Sequence, residues 1–131
     1  MGLDNAQSRV SLCFPIPTTA AGTDDQHMLW KVPAAFVITS VFFTDYTGIA
    51  ADATNVTTLA VSKGTSTVIA DWDTTTGADG ALTAKTPQSI PIEAGEDELA
   101  ADDVLFFSKA DAASGKGIDG FCVQIDGYFP N

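Results

Sequence analysis

The chain has 131 residues and a mass of 13.6 kDa, enough for one domain that buries a hydrophobic core without a metal ion or disulfide. Seventeen acidic and six basic residues give a net charge of −11, which disfavours nucleic acid and anionic membrane surfaces as partners. The sequence has no run of about 20 apolar residues, so it predicts no membrane-spanning helix. Because like-charged copies repel each other, any assembly should rely on apolar patches or on a partner of opposite charge.

The first part of the chain predicts a short arm followed by three strands. Residues 1–8 are polar and are expected to form a flexible N-terminal arm. Residues 9–16 alternate between apolar and other residues, which predicts a half-buried strand. Its inward side would carry Val10, Leu12, Phe14 and Ile16. Strands are also predicted at 27–32 and at 36–46, where aromatic and β-branched residues fill almost every position.

The second part of the chain predicts five further strands. Residues 56–63 and 67–73 flank Gly64-Thr65-Ser66 and read as a β-hairpin. Residues 74–86 are predicted to form a long loop or a loosely paired ribbon. Residues 93–103 are predicted to form a loop with at most one helical turn. Strands follow at 88–92, where Pro91 requires an edge or a bulge, at 104–109 and at 120–129. The last strand should face inward with Phe121, Val123, Ile125 and Phe129.

Eight strands without a convincing helix predict an all-β fold, an antiparallel β-sandwich of jelly-roll-like form. The sandwich should span residues 9–131 as a single domain. An immunoglobulin-like sandwich is the near alternative, but the pattern of a core tryptophan between two inward cysteines is missing.

Patterns for catalysis and metal binding are weak. His27 is the only histidine and follows a polar loop, which favours a surface or structural role over membership of a catalytic triad. Asp71, Asp73 and Asp79 have a faint likeness to a calcium loop, but two of them lie on a predicted strand and the EF-hand spacing is absent. The sequence therefore predicts no metal site, no cofactor and no enzymatic activity.

Cys13 and Cys122 are the only cysteines, and both fall on the outward side of their predicted strands. If the first and last strands are neighbours, the two side chains could form a disulfide. The N-terminus lacks a basic start followed by an apolar stretch, so no secretion signal is predicted. This favours two reduced thiols, while the strand parity also permits a disulfide.

One ordered set of segments resembles a known family. The chain has a strand ending in proline, another strand after Val32-Pro33 and the hairpin at 56–73. It then has Asp-Thr-Thr-Thr-Gly-Ala-Asp-Gly-Ala-Leu-Thr at 73–83 and Leu-Ala-Ala-Asp-Asp-Val-Leu at 99–105. Over residues 9–128 this order resembles the small capsid decoration proteins of tailed bacteriophages. The chain departs from them at Asp102-Asp103, where such proteins often carry glycine.

The resemblance implies a jelly-roll or related sandwich that binds the outer surface of the phage head as a cement or ornament. The implied partners are the major capsid protein and further copies of the chain, in a homotrimer. The implied location is the virion, after synthesis in the host cytoplasm. Large apolar side chains are the candidates for the burial that drives assembly, namely Trp30, Phe42, Phe43 and Tyr46.

A second class of function stays open at this point. Exposed tryptophan faces on a β-sandwich can stack on sugar rings, and the chain has Trp30 and Trp72. Two tryptophans in a small domain are more often core or interface anchors. The alternative is therefore a carbohydrate- or receptor-binding module of a phage tail or fibre, or of a cell-surface protein.

Overall fold

The structure, a computed structural model, describes residues 8–130 and folds them into two antiparallel β-sheets packed face to face. The predicted fold class, an all-β sandwich, is confirmed. The predicted N-terminal arm lies outside the described residues except for Ser8, which begins the first strand. In the described part of the chain, no helix is long and apolar enough to cross a lipid bilayer.

Nine strands make up the two sheets. They are β1 (Ser8–Ile16), β2 (Asp25–Lys31), β3 (Phe36–Thr44), β4 (Val56–Lys63), β5 (Thr67–Asp73), β6 (Gln88–Ile90), β7 (Glu98–Leu99), β8 (Val104–Ala112) and β9 (Phe121–Phe129). All eight predicted strands are present, and the ninth, β7, lies in the segment that the sequence predicted as a loop. Strand β6 stops at Ile90 because Pro91, which follows it, has no amide hydrogen to donate.

The strand order is that of a jelly roll. The five-stranded sheet has the order β1-β9-β3-β6, with β7 also paired to β3, and the four-stranded sheet has the order β2-β8-β4-β5. With the short β7 set aside, consecutive strands alternate between the sheets except at the β4–β5 hairpin. The first strand pairs with the last, from Ser8 opposite Phe129 to Ile16 opposite Phe121. Two packed sheets with these crossovers define the jelly-roll arrangement.

The core lies between the sheets and is rich in aromatic rings. Phe43, Phe107 and Phe121 pack together, with ring centroids 5.1 to 5.9 Å apart. A second aromatic group fills the core near the ends of β2 and β9, where Phe36 packs edge-on against Trp30 and close to Phe129. Edge-to-face geometry is favourable because the ring edge is positive and the ring face negative.

The connections gather at two ends of the sandwich. Four loops, residues 17–24, 45–55, 74–87 and 113–120, meet at one end, which we call the four-loop end. Backbone hydrogen bonds join them, among them Ile49 N to Leu82 O at 2.9 Å and Tyr46 N to Asp119 O at 2.9 Å. The opposite end carries residues 32–35, 64–66 and 91–103, joined by bonds such as Val32 N to Asp103 O at 2.8 Å.

A buried ion pair anchors one loop of the four-loop end. The Lys109 ammonium donates to the Asp111 carboxylate and, at 2.8 Å, to the Thr23 carbonyl oxygen. The same carboxylate accepts hydrogen bonds at 2.8 Å from the Gly22 amide and the Thr57 hydroxyl. Both charged side chains are almost fully buried. Because their hydrogen-bonding groups are satisfied, these charges tie the 17–24 loop to strands β4 and β8.

Candidate functional site

The four aromatic residues expected at an interface lie in four different places. Phe43 is fully buried in the core and Trp30 is half-buried between Phe36 and Phe129. Phe42 faces outward from the five-stranded sheet, half-buried beside Gln124 and Ser89 of the flanking strands. Tyr46 is 57% exposed at the four-loop end. The four side chains therefore form no common surface.

The inclusion of Phe43 among the interface residues is corrected by the structure. Phe42 and Phe43 are neighbours on β3, so their side chains point to opposite faces of the sheet. Phe43 takes the inward position and packs on Phe107 and Phe121. It can contact another molecule only if the core opens.

The tryptophans do not form a sugar-stacking platform. Trp72 is only 8% exposed, and its indole nitrogen donates to the Gly80 carbonyl oxygen at 2.9 Å. Trp30 turns its ring toward the core aromatic residues. Stacking on a sugar requires an open ring face, which neither side chain offers in full.

An apolar row crosses the outer face of the four-stranded sheet. Met28 of β2 pairs with Phe106 of β8, Phe106 pairs with Ser62 of β4, and Ser62 pairs with Val68 of β5. Met28 is 65% exposed and Val68 is 38% exposed, and Phe106 lies half-buried between them. We call Met28, Phe106 and Val68 the apolar row. Two of the three exposed large hydrophobic residues of the described chain belong to it.

The rest of this sheet face is flat and has its negative charge at one side. The next rows carry small side chains from β4 and β8, namely Thr58, Ala60, Ser108 and Ala110. Asp71 and Asp73 flank these rows on β5, opposite Ala60 and Thr58. Small side chains let another surface approach closely, so this face can accept a flat partner over much of its area.

The sandwich is closed along one side and open along the other. On the closed side, Ala70 of β5 bridges to Ile92, and the Glu93 amide donates to the Ile69 carbonyl at 2.7 Å. On the other side, within residues 8–130, β1 pairs only with β9 and β2 pairs only with β8. We call the side between β1 and β2 the open edge. The inward-facing side chains there are only partly covered, namely Val10, Leu12, Phe14, Leu29 and Trp30.

Cys13 and Cys122 form a disulfide on the outer face of the five-stranded sheet. Both side chains point outward, as their strand parity predicted, and β1 and β9 are neighbours. Their Cα atoms are 6.6 Å apart, within the range that a disulfide spans. The structure joins the two sulfur atoms, as strand parity permitted, whereas the missing secretion signal had favoured two reduced thiols.

The three aspartates with a likeness to a calcium loop have other roles. Asp73 accepts hydrogen bonds from the Thr75 hydroxyl and amide, which lower the pKa of the Asp73 carboxyl. The Asp79 carboxylate accepts a hydrogen bond from the Asp73 amide at 2.8 Å. These carboxylates therefore fix the turn that follows β5. Within residues 8–130, no group of three or more metal-ligating side chains is placed to hold a metal ion.

His27 pairs with a carboxylate on the open edge. Its Nε2 lies 2.8 Å from an Asp25 oxygen, two residues earlier on β2. Among the described residues, no serine, threonine or cysteine side chain hydrogen-bonds the ring. The pair thus has the orienting carboxylate and the imidazole of a triad without a nucleophile beside them.

Sequence reasoning missed the apolar row, although a signal for it was present. Phe106 and Val68 are outward by simple alternation on strands that were correctly predicted. Met28 is outward too, but a bulge between Met28 and Trp30 shifts the register that follows. Aligning the three residues in one row required the strand order, which alternation alone does not supply.

Comparisons with known proteins give no relative from which a function could be transferred. No family model, curated protein or solved structure matches the chain. The fold defines the class, a disulfide-linked antiparallel β-sandwich with jelly-roll strand order.

Proposed function

We propose that the protein is a non-catalytic structural protein that binds the outer surface of a tailed-phage capsid and stabilises the assembled shell. The observation that carries the proposal is the apolar row on a flat, uncovered sheet face. Exposed apolar side chains on a flat sheet face are typical of residues that another protein covers. The resemblance to capsid decoration proteins is the reason for naming the capsid as the partner. It is also the reason for proposing that the protein binds as a trimer.

The charge of this face indicates what the capsid surface should look like. On β5, Asp71 and Asp73 stand beside the small-residue rows of the same face, and Asp71 accepts no hydrogen bond from the described residues. A complementary surface would place lysine or arginine next to an apolar patch. Such charge pairs speed the encounter and fix the orientation, while burial of the apolar row supplies most of the free energy.

The disulfide is compatible with this location. Disulfides persist on virions and other surfaces exposed to oxidising surroundings, and they are rare in the reducing cytosol. The Cys13–Cys122 bond would then form after the particle leaves the host cytoplasm. A cell-surface location would favour a disulfide equally, so this feature supports an extracellular setting and not the capsid in particular.

Stabilisation of the shell would need no chemical step. A protein that binds the assembled lattice more tightly than the free subunits shifts the equilibrium toward the lattice by mass action. In a trimer, three weak contacts held together dissociate much more slowly than one contact. The implied trimer therefore suits a binding face of modest area.

The proposal is tested by binding to shells of the virus whose genome carries this gene. Purified protein is mixed with emptied shells, and co-sedimentation and the shell's thermal disruption temperature are measured. We expect saturable binding and a higher disruption temperature. Failure of the wild-type protein to bind intact shells would refute the proposal.

Variants of the apolar row assign the binding face. Met28→Lys and Val68→Lys each place a charge in the row and should weaken shell binding by about tenfold or more. Thr65→Lys is the matched control, because Thr65 is exposed in the hairpin loop outside the row. If both row variants bind with wild-type affinity, the binding site lies on another face of the protein.

A further inference from the structure

We infer that the open edge between β1 and β2 is a self-association surface, covered by a second copy of this chain. It differs from the apolar row, whose side chains point out from the face of the four-stranded sheet, although Met28 of that row also lies on β2. The capsid proposal is not needed for this inference, since copies can associate before they meet any shell.

No described residue pairs with the outer side of the β1 backbone. β1 is nine residues long and pairs with β9 in one continuous register, without a bulge. Its only charged residue is Arg9, near one end, and Pro15 stands near the other. Proteins usually protect an edge strand with charges, prolines or bulges, and residues 10–14 have none of these. The stretch therefore offers unpaired amide and carbonyl groups in a regular row.

The side chains of the open edge leave apolar surface uncovered. Val10, Leu12 and Phe14 point toward the interior, yet each remains partly exposed. Inward-facing residues on the central strands, such as Val41 and Val123, are fully buried. A partner strand or sheet laid along β1 would complete the burial of these side chains.

The charge distribution favours a second copy of the chain as the molecule that covers the open edge. β1 carries only Arg9, a charge of +1, and β2 carries Asp25 and Lys31, which sum to zero. Since the whole chain has a net charge of −11, the remainder of the chain holds −12. Two copies therefore repel least when they approach through this edge, whereas a cationic partner would be drawn to the acidic surface elsewhere.

The size of the edge predicts weak association. At about 3.3 Å per residue, β1 is about 30 Å long, and packed sheets lie about 10 Å apart. The resulting footprint of about 300 Å² is well below the roughly 800 Å² per partner of a standard stable interface. Self-association should thus appear only at high concentration, or on a surface that holds copies close together.

Sedimentation velocity of the full chain from about 10 µM to about 1 mM tests the inference. We expect the average mass to rise above 13.6 kDa with concentration, and to rise further when salt screens the overall repulsion. Leu12→Lys places a charge in the middle of the edge and should weaken association by about tenfold or more. Arg9→Glu is the safer variant for folding because Arg9 is exposed, and it should weaken association several-fold through added repulsion.

Thr65→Lys is the matched control, since Thr65 is exposed in the β4–β5 hairpin loop away from β1 and β2, and this variant should associate as the wild type does. Circular dichroism and melting temperature confirm that each variant is folded. A wild-type chain that stays at 13.6 kDa throughout would overturn the inference. So would wild-type association by both Arg9→Glu and folded Leu12→Lys, or loss of association in Thr65→Lys.

The same variants separate the two proposals. If self-association fails but the wild type binds shells, the open edge has been misassigned and the capsid function stands. If the chain self-associates through β1 but does not bind shells, the capsid function is wrong and the assignment of the edge stands.

Discussion

Some residues occupy positions in this fold that their residue type alone does not predict. Gly127, near the end of β9, is an example, because a Cβ there would lie 2.2 Å from the Val37 carbonyl oxygen and 2.5 Å from the Phe36 ring. The glycine lets the Phe36 ring pack against the backbone of β9. Lys109 is another, a charged residue in a position where alternation along β8 predicts an apolar one.

The buried ion pair should be costly to break. Lys109→Met leaves the Asp111 carboxylate buried without its cation, and we expect it to lower the free energy of unfolding by about 3 kcal/mol or more. The double variant Lys109→Met/Asp111→Asn should lose less than the sum of the single losses, because no unpaired charge remains. Urea denaturation followed by tryptophan fluorescence measures these differences.

Lys31→Met is the control for this experiment. Lys31 and Asp102 form a wide, exposed pair with a nitrogen–oxygen distance of 3.5 Å, and such pairs contribute about 1 kcal/mol or less. Equal losses for Lys31→Met and Lys109→Met would contradict the structural role assigned to the buried pair.

Among the strands, β1 depends most on the disulfide to stay attached to its sheet. It pairs with a single neighbour, and part of its apolar side is uncovered. The Cys13–Cys122 disulfide joins it to the middle of its sheet across 109 residues of chain. A bond that closes so long a loop restricts the unfolded chain strongly.

Reduction of the disulfide should therefore destabilise the protein without changing its fold. Chain-entropy arguments give an upper value of about 4 to 5 kcal/mol for a loop of this length. We expect a lower urea midpoint in the presence of reductant and an unchanged far-ultraviolet circular dichroism spectrum below the transition. Cys13→Ser/Cys122→Ser should show the same low midpoint with or without reductant. A reductant-insensitive wild type would show that the bond contributes no stability.

For the whole molecule, the fold stabilises two carboxylates, Asp52 and Asp73, in their charged form. The Asp52 carboxylate accepts the Thr54 and Asn55 amides and pairs with Lys116, and these contacts hold the pKa of Asp52 well below its ordinary value of 3.8. The pKa of Asp73 is lowered by the Thr75 hydroxyl and amide. A carboxyl whose pKa is lower in the folded state contributes stability above its unfolded pKa and loses it as pH falls toward the folded value.

Acidification should therefore weaken the fold below about pH 4, and substitution of these carboxyls should reduce that sensitivity. Asp52→Asn and Asp73→Asn should melt below the wild type at pH 7, and the gap should shrink by pH 3. Asp71→Asn is the control, because Asp71 accepts no hydrogen bond from the described residues. Scanning calorimetry at the two pH values measures the gaps. A gap for Asp52→Asn that is as large at pH 3 as at pH 7 would exclude this linkage.

The sequence predicted the elements of this fold better than their arrangement. Alternation from Val10 to Ile16 and the aromatic run of β3 found their strands because each strand buries one or both faces locally. Strand β7 was missed because two residues, Glu98 and Leu99, are too few to show a period. The apolar row, the open edge and the disulfide all depend on which strands are neighbours, a property of the whole chain.

The pairing of β1 with β9 has a topological consequence. Because Ser8 lies opposite Phe129, the polypeptide enters and leaves the sandwich at one corner, near the 32–35 and 91–103 connections. A short linker could join these two positions, and a new opening could be cut in the exposed Thr65-Ser66 turn between β4 and β5. Such a circular permutant would keep every strand pairing, and a peptide fused at the new termini would emerge beside the hairpin.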